Sequence, residues 1–214
     1  MRNTVRRALA VMGACLLLGI SGTGIAHAGS QQTVVTYELK LDKSSVAQLS
    51  QIKAVNAKTG QVAAPFTTPP LGGCDFSQVS GNVSALYQDH ALVTTEASYS
   101  SSVICTTTAP GQNMDYLSDI AKLFVDSEER AEGNLAQCDY PAVDPCTAIG
   151  SVGYYPCAGD LNCSGAYQIY HYVDLPLPEG WYWPTPVSGN CVILDPREIQ
   201  CYAYSERAVV PPLN

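Results

Sequence analysis

Apolar and polar residues alternate along much of this chain. Val35, Tyr37, Leu39 and Leu41 are interleaved with Thr36, Glu38 and Lys40, and a two-residue period puts the two sets on opposite faces of a strand. From Ser44 to Asn56 the period changes: Val46, Leu49, Ile52 and Val55 recur at three-residue steps. That spacing predicts a short helix ending near Gly60, with a hairpin through Lys58-Thr59-Gly60 as the competing solution. From Cys74 onward Val, Ile, Thr, Tyr and Ser dominate, and turn residues return at roughly ten-residue intervals, as in a β-sandwich or barrel. Strands are expected at Val83 to Tyr87, Ala91 to Tyr99, Ser102 to Thr108, Leu117 to Val125, Arg130 to Ala136, Tyr167 to Leu175, Gly180 to Trp183, Val192 to Leu194 and Ile199 to Tyr204. Leu117 to Val125 also presents a helical face through Tyr116, Leu117, Ile120, Ala121 and Phe124; the β character of both neighbours favours strand. The stretch Cys138 to Cys163 carries Pro141, Pro145, Gly150, Gly153, Pro156 and Gly159, a density of breakers that predicts a disulfide-pinned loop.

The N-terminus has a different logic. A basic start, Met1 to Arg7, leads into an apolar run from Ala8 to Ile20, then into small residues and Ala26-His27-Ala28. This is the layout of a secretory signal peptide spanning residues 1–28, and the run falls short of the roughly 20 residues of a bilayer span. Residues 29–73 hold no cysteine and end in Pro65-Phe66-Thr67-Thr68-Pro69-Pro70-Leu71-Gly72-Gly73, which reads as an N-terminal strand/helix extension with a linker. The expected boundary lies near Gly73, ahead of a β domain at 74–214.

Nine cysteines are present, and Cys15 leaves with the signal peptide. The remaining eight are Cys74, Cys105, Cys138, Cys146, Cys157, Cys163, Cys191 and Cys201. An even number in an exported chain reads as a disulfide framework, and the spacings hold none of the close pairs of a zinc site. Eight cysteines allow 105 connectivities. One pair has a local argument: Cys191 to Leu194 and Ile199 to Cys201 flank Pro196, which suits the second position of a turn, and a hairpin there sets Cys191 opposite Cys201. Beyond that, the order along the chain favours Cys74 with Cys105 or Cys105 with Cys138, and local pairs between Cys138 and Cys163. The expected architecture is therefore an all-β, disulfide-stapled antiparallel β-sandwich.

The formal charge of the whole chain is −8. Loss of residues 1–28 removes three arginines and no acid, leaving eight basic against nineteen acidic residues, near −11. Such a body repels phosphate backbones and anionic lipid, which excludes nucleic acid and membrane surfaces as partners and leaves cations, basic proteins and neutral glycans.

No catalytic or cofactor signature emerges, and neither a cofactor nor a metal is expected. Ser50-Gln51-Ile52-Lys53 and Lys58-Thr59-Gly60 echo acyl-enzyme motifs but lie almost end to end instead of far apart. His90 has Asp89 beside it and His171 has Asp174 nearby, yet no nucleophile elbow accompanies either, and both histidines read as strand residues. Asp126-Ser127-Glu128-Glu129 lacks the spacing and glycine of a calcium loop and reads as a solvated hairpin tip.

Aromatic residues concentrate late in the chain. Residues two apart on a strand share a face, so Trp181 pairs with Trp183, Tyr170 with Tyr172, and Tyr202 with Tyr204. With Ile199, Cys201 and Ala203 inward, Tyr202 and Tyr204 face outward. Trp181, Trp183, Tyr202 and Tyr204 are the candidate ligand-binding residues, a flat aromatic strip for sugar rings or a partner protein. Cys105-Thr106-Thr107-Thr108 with Asn113-Met114, and Leu175 to Trp183, resemble small secreted actinobacterial proteins without assigned activity. That resemblance spans roughly Cys74 to Ser205 and implies no site. The function expected is a secreted, non-enzymatic protein that binds or builds in the extracellular or cell-wall environment. The alternatives are a secreted hydrolase of extracellular polymers, or a protease inhibitor presenting the Cys138 to Cys163 loop.

Overall fold

The structure, a computed structural model, describes residues 31–49, 53–63, 73–106, 116–139, 149–158, 162–177, 179–187 and 189–211. The segment expected to be a signal peptide, most of the Pro/Gly-rich stretch before Gly73 and Cys146 lie outside them. Among the described residues the chain is strands with one short helix. In order these are β1 (Gln32–Lys40), α1 (Lys43–Leu49), β2 (Ala54–Asn56), β3 (Val62–Ala63), β4 (Gly73–Gln88), β5 (Ala91–Thr106), β6 (Tyr116–Val125) and β7 (Glu128–Glu132). There follow β8 (Ala136–Asp139), β9 (Ile149–Ala158), β10 (Gly165–Pro176), β11 (Trp181–Tyr182), β12 (Cys191–Asp195), β13 (Glu198–Tyr204) and β14 (Ala208–Val210). All paired strands are antiparallel.

Two sheets pack face to face. One has the order β1-β4-β5-β9; the other runs β12-β13-β10-β6-β7, with β14 also on β10 and β8 also on β6. A small third sheet, β11-β2-β3, covers one end. The expected all-β, disulfide-stapled sandwich is what the chain forms. Leu117 to Val125 is strand throughout, because the residues on its inward face, Leu117, Asp119, Ala121, Leu123 and Val125, alternate at the strand period and are buried. The Lys58-Thr59-Gly60 hairpin forms and joins β2 to β3, while the expected helix is helical only over Lys43–Leu49 and gives way to strand at Ala54–Asn56.

Three expectations are corrected. Ala91 to Thr106 is one long strand where two were expected. The segment from Cys138 to Cys163 is not simply a loop, since β9 runs through Gly150, Gly153 and Pro156 as an edge of the four-stranded sheet. An edge strand tolerates proline, and Gly153 is required there by packing: a Cβ on it would meet the Tyr99 ring at 2.1 Å. His90 is not a strand residue but half of a two-residue turn. Asp89 and His90 (φ 50° and 69°) join β4 to β5, as Asp126 and Ser127 (φ 52° and 70°) join β6 to β7. Both have the positive φ pair that matches the twist of a tight hairpin. The acidic stretch at Asp126 is thus the hairpin tip expected of it.

The strands before Gly73 hydrogen-bond to those after it. β1 pairs with β4 over nine positions, from Gln32↔Gln88 to Lys40↔Ser80, and β2 pairs with β11. At its end β1 also reaches the other sheet, through Glu206 N–H to Lys40 O (2.6 Å), Asp42 N–H to Tyr204 O (2.9 Å) and the Leu41↔Ser205 bridge. On the opposite edge Asn134 clamps β9: its N–H donates to Val152 O (3.1 Å) and its Oδ1 accepts from Val152 N–H (2.7 Å). Both edges of the four-stranded sheet are therefore stitched to the seven-stranded one, which limits the strand edge left open to other chains.

Two disulfides are described. Cys191–Cys201 joins β12 to β13 at the register pair foreseen for the Pro196 hairpin. Cys157–Cys163 is a local pair within the Cys138 to Cys163 stretch and holds the corner where the chain passes from β9 to β10, from one sheet to the other. The register also places Cys74 directly opposite Cys105. Such bridges belong to an oxidising compartment, and no described helix is long and apolar enough to cross a membrane.

Candidate functional site

The interior holds a polar layer that any catalytic reading has to address. On three strands successive inward positions read apolar, polar, apolar: Val103, Ser101, Tyr99 on β5; Leu117, Asp119, Ala121 on β6; Val173, His171, Ile169 on β10. The first of each belongs to one apolar cluster and the last to a second, so the polar residues divide the core. His171 Nε2 lies 2.8 Å from Asp119 Oδ1, and Ser101 Oγ donates to the same oxygen at 2.8 Å. Ser151 Oγ, opposite Ser101 in the register, accepts the Ala121 N–H at 3.0 Å. Both last bonds cross between the sheets.

A serine, an aspartate and a histidine are thus together, but the carboxylate sits between the other two, whereas a nucleophilic triad needs the imidazole in the middle. The side chains of Asp119 and His171 are fully buried. This is a structural clamp. Asp174, the neighbour that the sequence offers to His171, faces the other way and accepts from Ser118 Oγ (2.7 Å) and Gln200 Nε2 (2.9 Å). His90 stands exposed on its turn. No group of three or more His, Cys, Asp or Glu side chains is placed to hold a metal among the described residues.

The aromatic residues separate into two populations. Trp181 and Trp183 share a face as expected, but that face is inward: they are 6% and 3% exposed and pack with Leu175, Leu177 and Ile199 in the core. The physical reason is β11, whose pairing with β2 turns both indoles under the third sheet. They cannot belong to a surface strip. Tyr202 and Tyr204 do lie on the outer face, because Ile199, Cys201 and Ala203, at the alternate positions of the strand, are fully buried.

They have company there. The register sets Tyr170 opposite Tyr204 and Tyr172 opposite Tyr202, so two strands contribute a square of four tyrosines. Centroids of the contacting pairs are 5.6 to 6.4 Å apart, and Phe124 of β6 adds a ring 4.7 Å from Tyr170. Tyr170 and Tyr172 are nearly parallel at 22°, while the other pairs are tilted by 35° to 58°. The rings therefore pack against one another and form a contoured surface, not a flat plate. Burial raises the phenol pKa of both Tyr170 and Tyr172 above the ordinary value.

Charge surrounds this square unevenly. Lys122 lies 5.8 Å from the Tyr172 ring centre and is held by Glu132 (2.9 Å) and Glu129 (3.2 Å). Asp174 and Glu198 occupy outward positions beyond the tyrosines on β10 and β13, and Arg207 binds Gln168 Oε1 at 3.3 Å. Four acids and two bases leave the rim negative. The residues that pattern reading missed are Phe124 and Lys122; they come from β6, and only the strand order reveals that β6 lies beside β10.

No protein-family model, no curated protein and no solved structure matches this chain.

Proposed function

We propose that this is an exported, non-enzymatic binding protein whose outer tyrosine face docks onto a basic extracellular protein. The observation that carries the reading is the square of Tyr170, Tyr172, Tyr202 and Tyr204, a contiguous aromatic patch on a rigid sheet. Tyrosine supplies large contact area at small conformational cost and is enriched at the energetic centres of interfaces. Tilted, interlocked rings suit a contoured protein surface better than a flat sugar polymer, and the acidic rim together with the chain's net charge of −8 favours a partner of opposite sign. Export follows from the signal-peptide layout and agrees with the disulfides. Of the two histidines a serine triad could use, His171 is buried against Asp119, and the inhibitor alternative loses much of its loop to β9.

The test is capture from the extracellular fraction of the producing cell, with cross-links mapped by mass spectrometry. The expected result is a basic protein cross-linked beside β10 and β13, retained less at higher salt, and weakened at least about tenfold by a Tyr172→Ala/Tyr202→Ala double variant that still folds. Equal capture by wild type and double variant would remove the tyrosine face from the account.

A further inference from the structure

The opposite outer surface, on the four-stranded sheet, carries a second feature. Two rows of side chains cross it from edge to edge. One is Lys40, Ser80, Ser100, Val152; the other is Glu38, Asn82, Ser98, Tyr154. Each begins with a charged residue on β1, passes over two small hydroxyl or amide groups on β4 and β5, and ends on an apolar or aromatic side chain of β9. Short residues in the middle and long ones at the edges make a groove of about 420 Å³. It continues along the strands into a hollow of about 250 Å³ over Gln78 and Ser102.

We infer that this groove binds a neutral glycan chain. Its floor consists of groups that both donate and accept, as sugar hydroxyls do; Ser80 Oγ and Ser100 Oγ already pair across the strands at 3.2 Å. One wall is Val152, 64% exposed; next along β9, flanking the groove, stands Tyr154, 57% exposed and hydrogen-bonded to Glu96. Large apolar groups left in water beside a polar floor suit the mixed character of a sugar, whose ring presents C–H bonds on its faces and hydroxyls at its rim. The other wall is self-neutralised, Lys40 Nζ lying 2.9 Å from Glu38 Oε2, so the groove holds no spare cation for an acidic polymer, and the body's net negative charge repels one. This site is independent of the tyrosine face.

The full exported chain should be tested for retention on insoluble β-glucan, chitin and mannan, with polygalacturonate as the anionic control. Retention is expected on at least one neutral polymer, nearly unchanged by salt. Tyr154→Ala and Asn82→Ala should each weaken it about tenfold or more, while Tyr202→Ala leaves it intact. These side chains lie on the outer surface, so the variants should keep the wild-type melting temperature, and Asn82→Ala reads the groove without touching the aromatic wall. Failure to bind any neutral polymer, retention indifferent to both groove variants, or loss that follows Tyr202→Ala would each overturn the inference. None of these results would bear on capture of a protein by the opposite face.

Discussion

On the seven-stranded sheet the central positions pointing away from the core hold Phe124, Tyr170, Tyr172, Tyr202 and Tyr204, whereas on the four-stranded sheet they hold Ser80, Asn82, Ser98, Ser100 and Ser102. Both faces arise from the same alternation over a shared core. They differ in the volume standing above the backbone. Rings fill that space by packing on one another, so the first surface is raised and offers contact area. Serines leave the space empty, so the second surface is hollow and offers hydrogen bonds. A sandwich with both edges stitched thus presents two chemically distinct outer surfaces, and the interior that joins them is sealed.

The comparison breaks most completely if the sheets lose their mutual register. His171→Ala would open a cavity in the core and take the imidazole away from buried Asp119, which should cost about 2–5 kcal/mol and disturb both faces together; urea unfolding measures it. A smaller and one-sided effect is expected from Gly153→Ala. The added Cβ meets the Tyr99 ring beneath the groove, and overpacking of this kind costs about 1–3 kcal/mol, read in the same unfolding assay, with the tyrosine face unaffected.

The two faces should also differ in what their aromatic residues contribute to stability. Tyr172→Ala/Tyr202→Ala removes mutually packed rings and should lower stability by about 1–3 kcal/mol in total. Tyr154→Ala removes an exposed ring and should stay within about 0.5 kcal/mol. Parallel melts decide this, and equal losses would mean that the two surfaces are not the distinct structures described.

The subtlest effect is alkaline. Burial, with Glu132 and Glu129 adding to it, pushes the Tyr99 phenol from 10.0 up to about 12. A folded-state value raised above the unfolded one favours the neutral form, so the stability it links to is complete below pH 10 and drains away as the pH rises toward about 12. Stability measured across that window should fall, and Tyr99→Phe should shallow the fall.

Pattern reading succeeded where a residue's neighbours determine which side is inward. Ile199, Cys201 and Ala203 are all small or apolar, so Tyr202 and Tyr204 had to point out, and the same alternation aligned Cys191 with Cys201 across Pro196. Trp181 and Trp183 lack such an anchor: one Tyr182 between them says they share a face but not which, and only pairing of β11 with β2 decides it. Gly153 and Pro156 read as breakers because the sequence does not show that a tyrosine from the adjacent strand β5 needs the glycine's missing side chain, or that an edge strand spares the proline. The groove was not anticipated, since its two rows combine residues from β1, β4, β5 and β9 that are far apart along the chain.

The measurement that bears most directly on two separate surfaces is radical footprinting of tyrosines, read by mass spectrometry with and without the neutral polysaccharide that retains the protein. The account predicts protection of Tyr154 while Tyr170, Tyr172, Tyr202 and Tyr204 keep their unbound reactivity. Protection of the tyrosine square by the glycan, with Tyr154 unchanged, would contradict it.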